Sequence, residues 1–199
     1  MIEADVPHLG DALPLAPSDP AWLGIALADI EAVHADHLHC ERKAAQSALS
    51  LIRSYPERGD LVTAMARLAH DETRHVVQVS QLMARRGQQA SYDHGDDYAA
   101  ALRTHIRGKE PDRLLDRLLV FAIIEGRSAE RLGLLAGALD DPKSRDLYAS
   151  LASAEVRHRD TFLSLARDAA PHVWRERATA LATVEADILA NRPIVARIH

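Results

Sequence analysis

Apolar residues recur along this chain at three- and four-residue steps, and no stretch alternates in the manner of a strand, so the pattern predicts an all-helical protein. The first stripe runs through Leu27, Ile30, Val33, His34, His37, Glu41, Ala45, Ala48, Leu49 and Ile52, on a helix from Ala21 to Arg53 bent near Asp29. Asp19-Pro20 gives it an N-cap and a first-turn proline, and Pro56 ends it. A second stripe, Leu61, Met65, Leu68, Glu72, His75, Val76, Val79 and Met83, predicts a helix from Gly59 to Arg86, stopped by Gly87. Residues 88–95 break the pattern, and a short helix from Asp96 to Arg107 follows within a long crossover. Pro111 opens a third main helix through Leu114, Leu118, Phe121, Ala122, Glu125, Ser128, Ala129, Leu132 and Leu135. Asp141-Pro142 opens a fourth through Leu147, Leu151, Glu155, His158, Phe162 and Leu165. A last helix, from Pro171 to Ala190, is expected to bury Val173, Leu181, Val184 and Ile188. The expected organisation is one domain over 1–199: an extended arm over 1–18 that includes Pro7, a four-helix bundle over 21–168, and an added C-terminal helix over 171–190.

Polar residues on the apolar stripes carry the chemistry. Glu41 is followed about thirty residues later by Glu72-Thr73-Arg74-His75, and Glu125 is followed at nearly the same interval by Glu155-Val156-Arg157-His158. Glu and His at i and i+3 share one helical face, so each Glu-x-x-His offers two ligands to one site, and the lone Glu answers from a partner helix. A single Glu-x-x-His arises often by chance; two copies at matched spacing on inward stripes do not. Four carboxylates and two imidazoles are the donor set of two-metal sites in ferritin-like bundles. One imidazole per metal favours iron or manganese over calcium or magnesium. Burying four carboxylates without cations would be costly.

Composition narrows the class. The chain has 199 residues, 47% hydrophobic but only 4% aromatic, which suits helices rich in Ala and Leu. A net charge of −5 argues against gripping nucleic acid through the overall field, though not against a local basic face. One cysteine, Cys40, allows no internal disulfide and suits a reducing cytoplasm. The N-terminus shows no signal-peptide pattern. The longest apolar run, Leu118 to Ile124, is far short of the ~20 residues that span a bilayer. A soluble, cytoplasmic protein is expected.

Asp71-Glu72-Thr73-Arg74-His75 resembles the Asp-Glu-x-Arg-His motif of diiron monooxygenases, where the Asp accepts a proton from a ligand imidazole and the Arg holds that Asp. The second copy keeps Arg157 but has Ala154 in the Asp position. His37, one turn before Glu41, is an ordinary hydrogen-bonded interior histidine or a neighbour of the site, the former being favoured, and Glu130 is assigned to the site's surroundings or to an ion pair with Arg127 or Arg131. The stretches Asp36 to Ala45, Ala48 to Ile52, Leu82 to Gly87 and Ile124 to Arg131 resemble the MiaE family of bacterial tRNA hydroxylases, from about Trp22 to Ala190. Gly126, Ala129 and Leu132 depart from that family's usual Ala, Cys and Phe.

The resemblance implies a monooxygenase in which a reduced iron pair activates O2 to hydroxylate the isopentenyl group of a modified adenosine in the tRNA anticodon loop. No motif for flavin, nicotinamide or an iron–sulfur cluster is present, so a separate electron-donor reductase is implied, with tRNA and O2 as the other partners. A monomer or small homo-oligomer is expected. Arg103, Arg107, Lys109, Arg113 and Arg117 could meet phosphates or could be an ordinary solvated surface. The competing reading is a ferritin-like protein that stores iron or destroys peroxide; its ligand set would be the same, but it would form a hollow shell.

Overall fold

A computed structural model describes residues 9–199, so Pro7 and the rest of 1–8 lie outside the described residues. Among those described there are seven α-helices and no strand. They are α1 (Ala21–Ala28), α2 (Ile30–Ser54), α3 (Gly59–Arg85), α4 (Asp97–Arg103), α5 (Asp112–Ala138), α6 (Pro142–Ala169) and α7 (Trp174–Ala190), preceded by a 3-10 turn at Leu9–Ala12.

Short polar side chains set the boundaries. Asp29 breaks the first stripe into α1 and α2, its carboxylate accepting from Ala32 N at 3.2 Å. Asp96 caps α4 through Ala99 N at 2.9 Å, and Asp141 caps α6 through Ser144 N at 3.0 Å. Gly87 ends α3 at φ +69°, a left-handed conformation that side chains resist. Two helices are shorter than their patterns suggest. The chain leaves α4 after Arg103, in turns that lead to Arg107, whose backbone N–H and guanidinium both bind Asp116. The last helix starts at Trp174, with 171–173 in a turn.

Two compact units make up the chain. One comprises 18–95, 130–153 and 193–199. In it α2 and α3 pack side by side, joined by a short turn, with Val33, Ala48, Leu51, Met65, Val79 and Leu82 buried. Leu51 rather than the expected Leu49 faces inward: Leu49 is 54% exposed. Trp22 is buried here, donating from Nε1 to the Arg197 carbonyl at 3.0 Å beneath the Arg131 guanidinium.

The other unit comprises, of the described residues, 9–17, 96–129 and 154–192. Its core contains Leu114, Leu118, Phe121, Phe162 and Leu163. Two buried ion networks tie its helices. Asp116 accepts from Arg107 and Arg177, and Glu185 accepts from Arg127 Nε at 2.9 Å, Arg127 Nη2 at 3.0 Å and Tyr98 Oη at 3.0 Å. Glu185 corrects the expected inner face of α7. That face is Trp174, Ala178, Leu181 and Glu185, whose carboxylate is neutralised by Arg127; Leu181 is buried as expected and Val184 and Ile188 are half-buried, while Val173, in the turn before the helix, is 50% exposed.

Candidate metal centre

Helical spacing turns each Glu-x-x-His inward. In the unit built on α2 and α3, Glu72 and His75 lie one turn apart on the buried face of α3, opposite Glu41 of α2. Their ligand atoms lie within 4.8 Å of one another, and none of the three residues is more than 4% exposed. His75 Nδ1 is 3.2 Å from Glu41 Oε2 and 3.3 Å from Glu72 Oε2. In the other unit Glu125 of α5 joins Glu155 and His158 of α6, again within 4.8 Å and at most 5% exposed. His158 Nδ1 is 3.4 Å from Glu155 Oε2, so in both copies the same ring nitrogen faces the carboxylates. The repeat in sequence is a repeat in atomic arrangement.

This arrangement fits a metal. Each set gathers two carboxylates and one imidazole in a buried place where Coulomb repulsion between carboxylates is strong. A divalent cation accepting all three donors relieves that repulsion, and two sets match two such ions.

Glu41 shows how its surroundings keep a candidate ligand ionised. Burial works against its ionised form, but a hydrogen bond with Glu72, the charge and hydrogen bond of His37 and the hydrogen bond of His75 outweigh burial and hold the carboxyl well below its ordinary range. His37 Nε2 donates to Glu41 Oε1 at 2.5 Å from one turn earlier on α2. Asp71 is half-buried and accepts from Arg74 Nη2 at 3.0 Å, while Arg74 and Arg157 are exposed. Glu130 accepts from Ser18 N at 2.6 Å and Ser18 Oγ at 2.9 Å within its own unit. Arg127 takes Glu185 as its carboxylate. Of the basic residues near the crossover, Arg107 is committed to Asp112 and Asp116, and Arg113 stands 3.9 Å from Glu110.

Sequence reasoning passed over Tyr148. It is fully buried on α6, its ring stacked on His37 at 5.5 Å and on His34 at 6.2 Å. The signal was available, since Tyr148, Leu151, Glu155 and His158 follow one another at helical steps on one face.

Comparison with known proteins gives concordant results. The family model described as tRNA-(MS[2]IO[6]A)-hydroxylase (MiaE) matches residues 11–199. A relative from Pseudomonas putida, named tRNA 2-(methylsulfanyl)-N(6)-isopentenyladenosine(37) hydroxylase, is 43% identical over 79% of this chain and 77% of its own length. A protein of the same name from Salmonella typhimurium is 28% identical, covering 92% of this chain and 86% of its own. Among solved structures, "Protein 43 with aldehyde deformylating oxygenase activity" from Synechococcus superposes with a TM-score of 0.87 at 36% identity, over 94% of this chain and 95% of that one.

Proposed function

The chain belongs to the MiaE family of tRNA hydroxylases, and on that premise we propose that it is an O2-dependent nonheme diiron monooxygenase acting on tRNA. Its substrate in this reading is the isopentenyl group of a modified adenosine in the anticodon loop. The observation that carries the proposal is the duplicated, buried set of two carboxylates and one histidine inside an all-α, ferritin-like fold. Glu41, Glu72 and His75 would hold one iron, and Glu125, Glu155 and His158 the other. The whole of 1–199 then serves as one ferritin-like domain.

When bound, the iron pair supplies the redox chemistry that couples reduction of O2 to insertion of one oxygen atom into a C–H bond. The chain's own residues do the rest. Each set of two carboxylates and one imidazole would supply the charge that holds one ion, and its burial would exclude bulk water from an oxidising centre. His37 holds the Glu41 carboxylate from behind, and Arg74 holds Asp71 beside Glu72. Hydroxylation by O2 consumes two electrons and two protons and releases one water, so a separate reductase must deliver the electrons. The donor set would also accept manganese. An adenosine in an anticodon loop is unpaired and can be turned out of the stack, so a local set of contacts suffices even for a chain with a net charge of −5. No described helix is long and apolar enough to cross a membrane. A cytoplasmic monomer or small homo-oligomer completes the proposal.

Glu72→Ala and His158→Ala test the assignment directly. Each is expected to lose most bound iron and all hydroxylation of tRNA; full iron occupancy in both variants would overturn it. The iron-storage reading is not favoured by the relatives, and a hollow multi-subunit shell in solution would be needed to restore it.

A further inference from the structure

The chain carries two Phe, two Trp and four Tyr. All of them except Tyr92 are 9% exposed or less, whereas Tyr92 is 81% exposed. A single exposed apolar residue is ordinary on a protein surface, but this one is held out by an anchored loop. Residues 88–95 follow α3 with no helix or strand of their own, and side chains of α2 tie them down. His34 Nδ1 bonds Gln88 Oε1 at 2.7 Å, and His39 Nε2 donates to the Ser91 carbonyl at 2.8 Å. Arg42 pairs with Asp93, and Lys43 Nζ lies 3.7 Å from the same carboxylate. Asp93 also accepts from Gly95 N at 2.9 Å, and Arg197 donates to the Gly95 carbonyl at 3.3 Å. The backbone is thus fixed on both sides of Tyr92, whose ring meets the His94 ring at a centroid distance of 5.5 Å and an angle of 72°.

Ordering a loop costs conformational entropy, and a ring left in water returns little hydrophobic stabilisation for it. What the arrangement provides is a rigid aromatic surface that a partner can meet without paying that cost again. An unpaired base is the partner that suits it. The chain has a net charge of −5, and the cations beside the loop, Arg42 and Lys43, already share the Asp93 carboxylate. Affinity for RNA must then come largely from contacts other than phosphate attraction. Stacking of an unpaired base on an aromatic ring is such a contact, and among the described residues Tyr92 is the one Phe, Tyr or Trp ring open to solvent. Its place on the molecule agrees. His39, Arg42 and Lys43 lie on either side of Glu41 in α2, so the loop is held against the same stretch of helix that carries a candidate metal ligand. A nucleotide turned into the centre leaves its neighbours outside, where they need a surface to rest on.

We propose that Tyr92 is a tRNA-binding residue: its ring, presented by the anchored loop 88–95, stacks on an unpaired anticodon-loop base next to the reacting adenosine. The choice of tRNA rests on the hydroxylase reading; the presentation of the ring does not.

Binding of labelled tRNA bearing the prenylated adenosine, at one fixed salt concentration, tests the proposal on wild-type protein and three variants. Tyr92→Ala should weaken binding about tenfold or more, with iron content and melting temperature unchanged because the ring packs against so little. Tyr92→Phe, which keeps the stacking surface, should bind as wild type does. Tyr92→Trp should bind as well, and its indole fluorescence should be quenched by tRNA, since Trp22 and Trp174 are buried and out of reach. Wild-type affinity in Tyr92→Ala, a loss in Tyr92→Phe as large as in Tyr92→Ala, or an unquenched indole overturns the proposal. So does a Tyr92→Ala variant that binds tRNA normally but accepts electrons slowly from its reductase, which would make the ring a protein-docking residue. Each of these results, in a wild-type protein that hydroxylates tRNA, strikes this proposal alone. A wild-type protein that neither binds nor hydroxylates tRNA strikes the hydroxylase reading and the role of Tyr92 with it.

Discussion

Removing the carboxylate of Glu185 should be among the most destabilising single changes this chain can suffer outside its candidate metal ligands. Glu185 and Arg127 are both fully buried, joined through two parallel bonds of 2.9 and 3.0 Å, and Tyr98 adds a third bond to the same carboxylate. Glu185→Ala leaves the guanidinium charge in the interior without its counter-charge, a change that typically costs about 3–5 kcal/mol. With a urea m-value of about 2 kcal/mol/M, the unfolding midpoint should fall by about 2 M. Equilibrium urea unfolding followed by far-UV circular dichroism reads this directly. Removing both charges at once, as Arg127→Met with Glu185→Leu, should recover most of the loss, because the penalty arises from the stranded charge and not from a missing attraction. A cost under about 1 kcal/mol for Glu185→Ala, or a double variant no more stable than the single one, would refute the reasoning.

Two further outcomes follow from local geometry. Burial pushes the Asp116 carboxyl up, but hydrogen bonds from Arg107 and Arg177 outweigh it and bring it down to about 2 from an ordinary 3.8. Because the folded value is the lower one, the stabilisation is complete above about pH 4 and is lost as pH falls towards 2, an effect of about 2 kcal/mol. The stability gap between wild type and Asp116→Asn should therefore narrow between pH 6 and pH 3 in urea titrations; a constant gap would contradict the assignment. Gly133 lies exposed within α5 with nothing within 4 Å of an added Cβ, so Gly133→Ala should stabilise the protein by about 1 kcal/mol, read as a rise in melting temperature. A loss of stability there would mean that the helix does not run through that position.

Much of this structure can be read from the chain, and the parts that cannot share a cause. The inward stripes of α2, α3, α5 and α6 follow from periodicity, because burying hydrocarbon is what sets the face of a helix. The six Glu and His positions emerge because polar residues recur on those stripes at a repeated interval. Periodicity fails where a charge is neutralised by a distant residue. Glu185 looks like a solvent-facing residue until Arg127, 58 positions away, is placed beside it, and periodicity alone leaves it off the inner face of α7. Asp116 is similar, since Arg177 lies 61 positions from it. Leu49 and Leu51 are close enough in sequence for either to fit the stripe, and only packing against neighbouring helices selects Leu51. The stacking of Tyr148 on His34 and His37 joins α2 to α6, a pairing that no local pattern contains.

Iron content, followed in the same sample by one turnover, tests the central claim most directly. Reduced protein is mixed with O2 and with tRNA bearing the prenylated adenosine, and the nucleosides are then analysed by mass. The diiron hydroxylase account predicts about two irons per chain and a gain of one oxygen atom on that nucleoside. Iron-loaded protein that consumes O2 and leaves the nucleoside unchanged would contradict it.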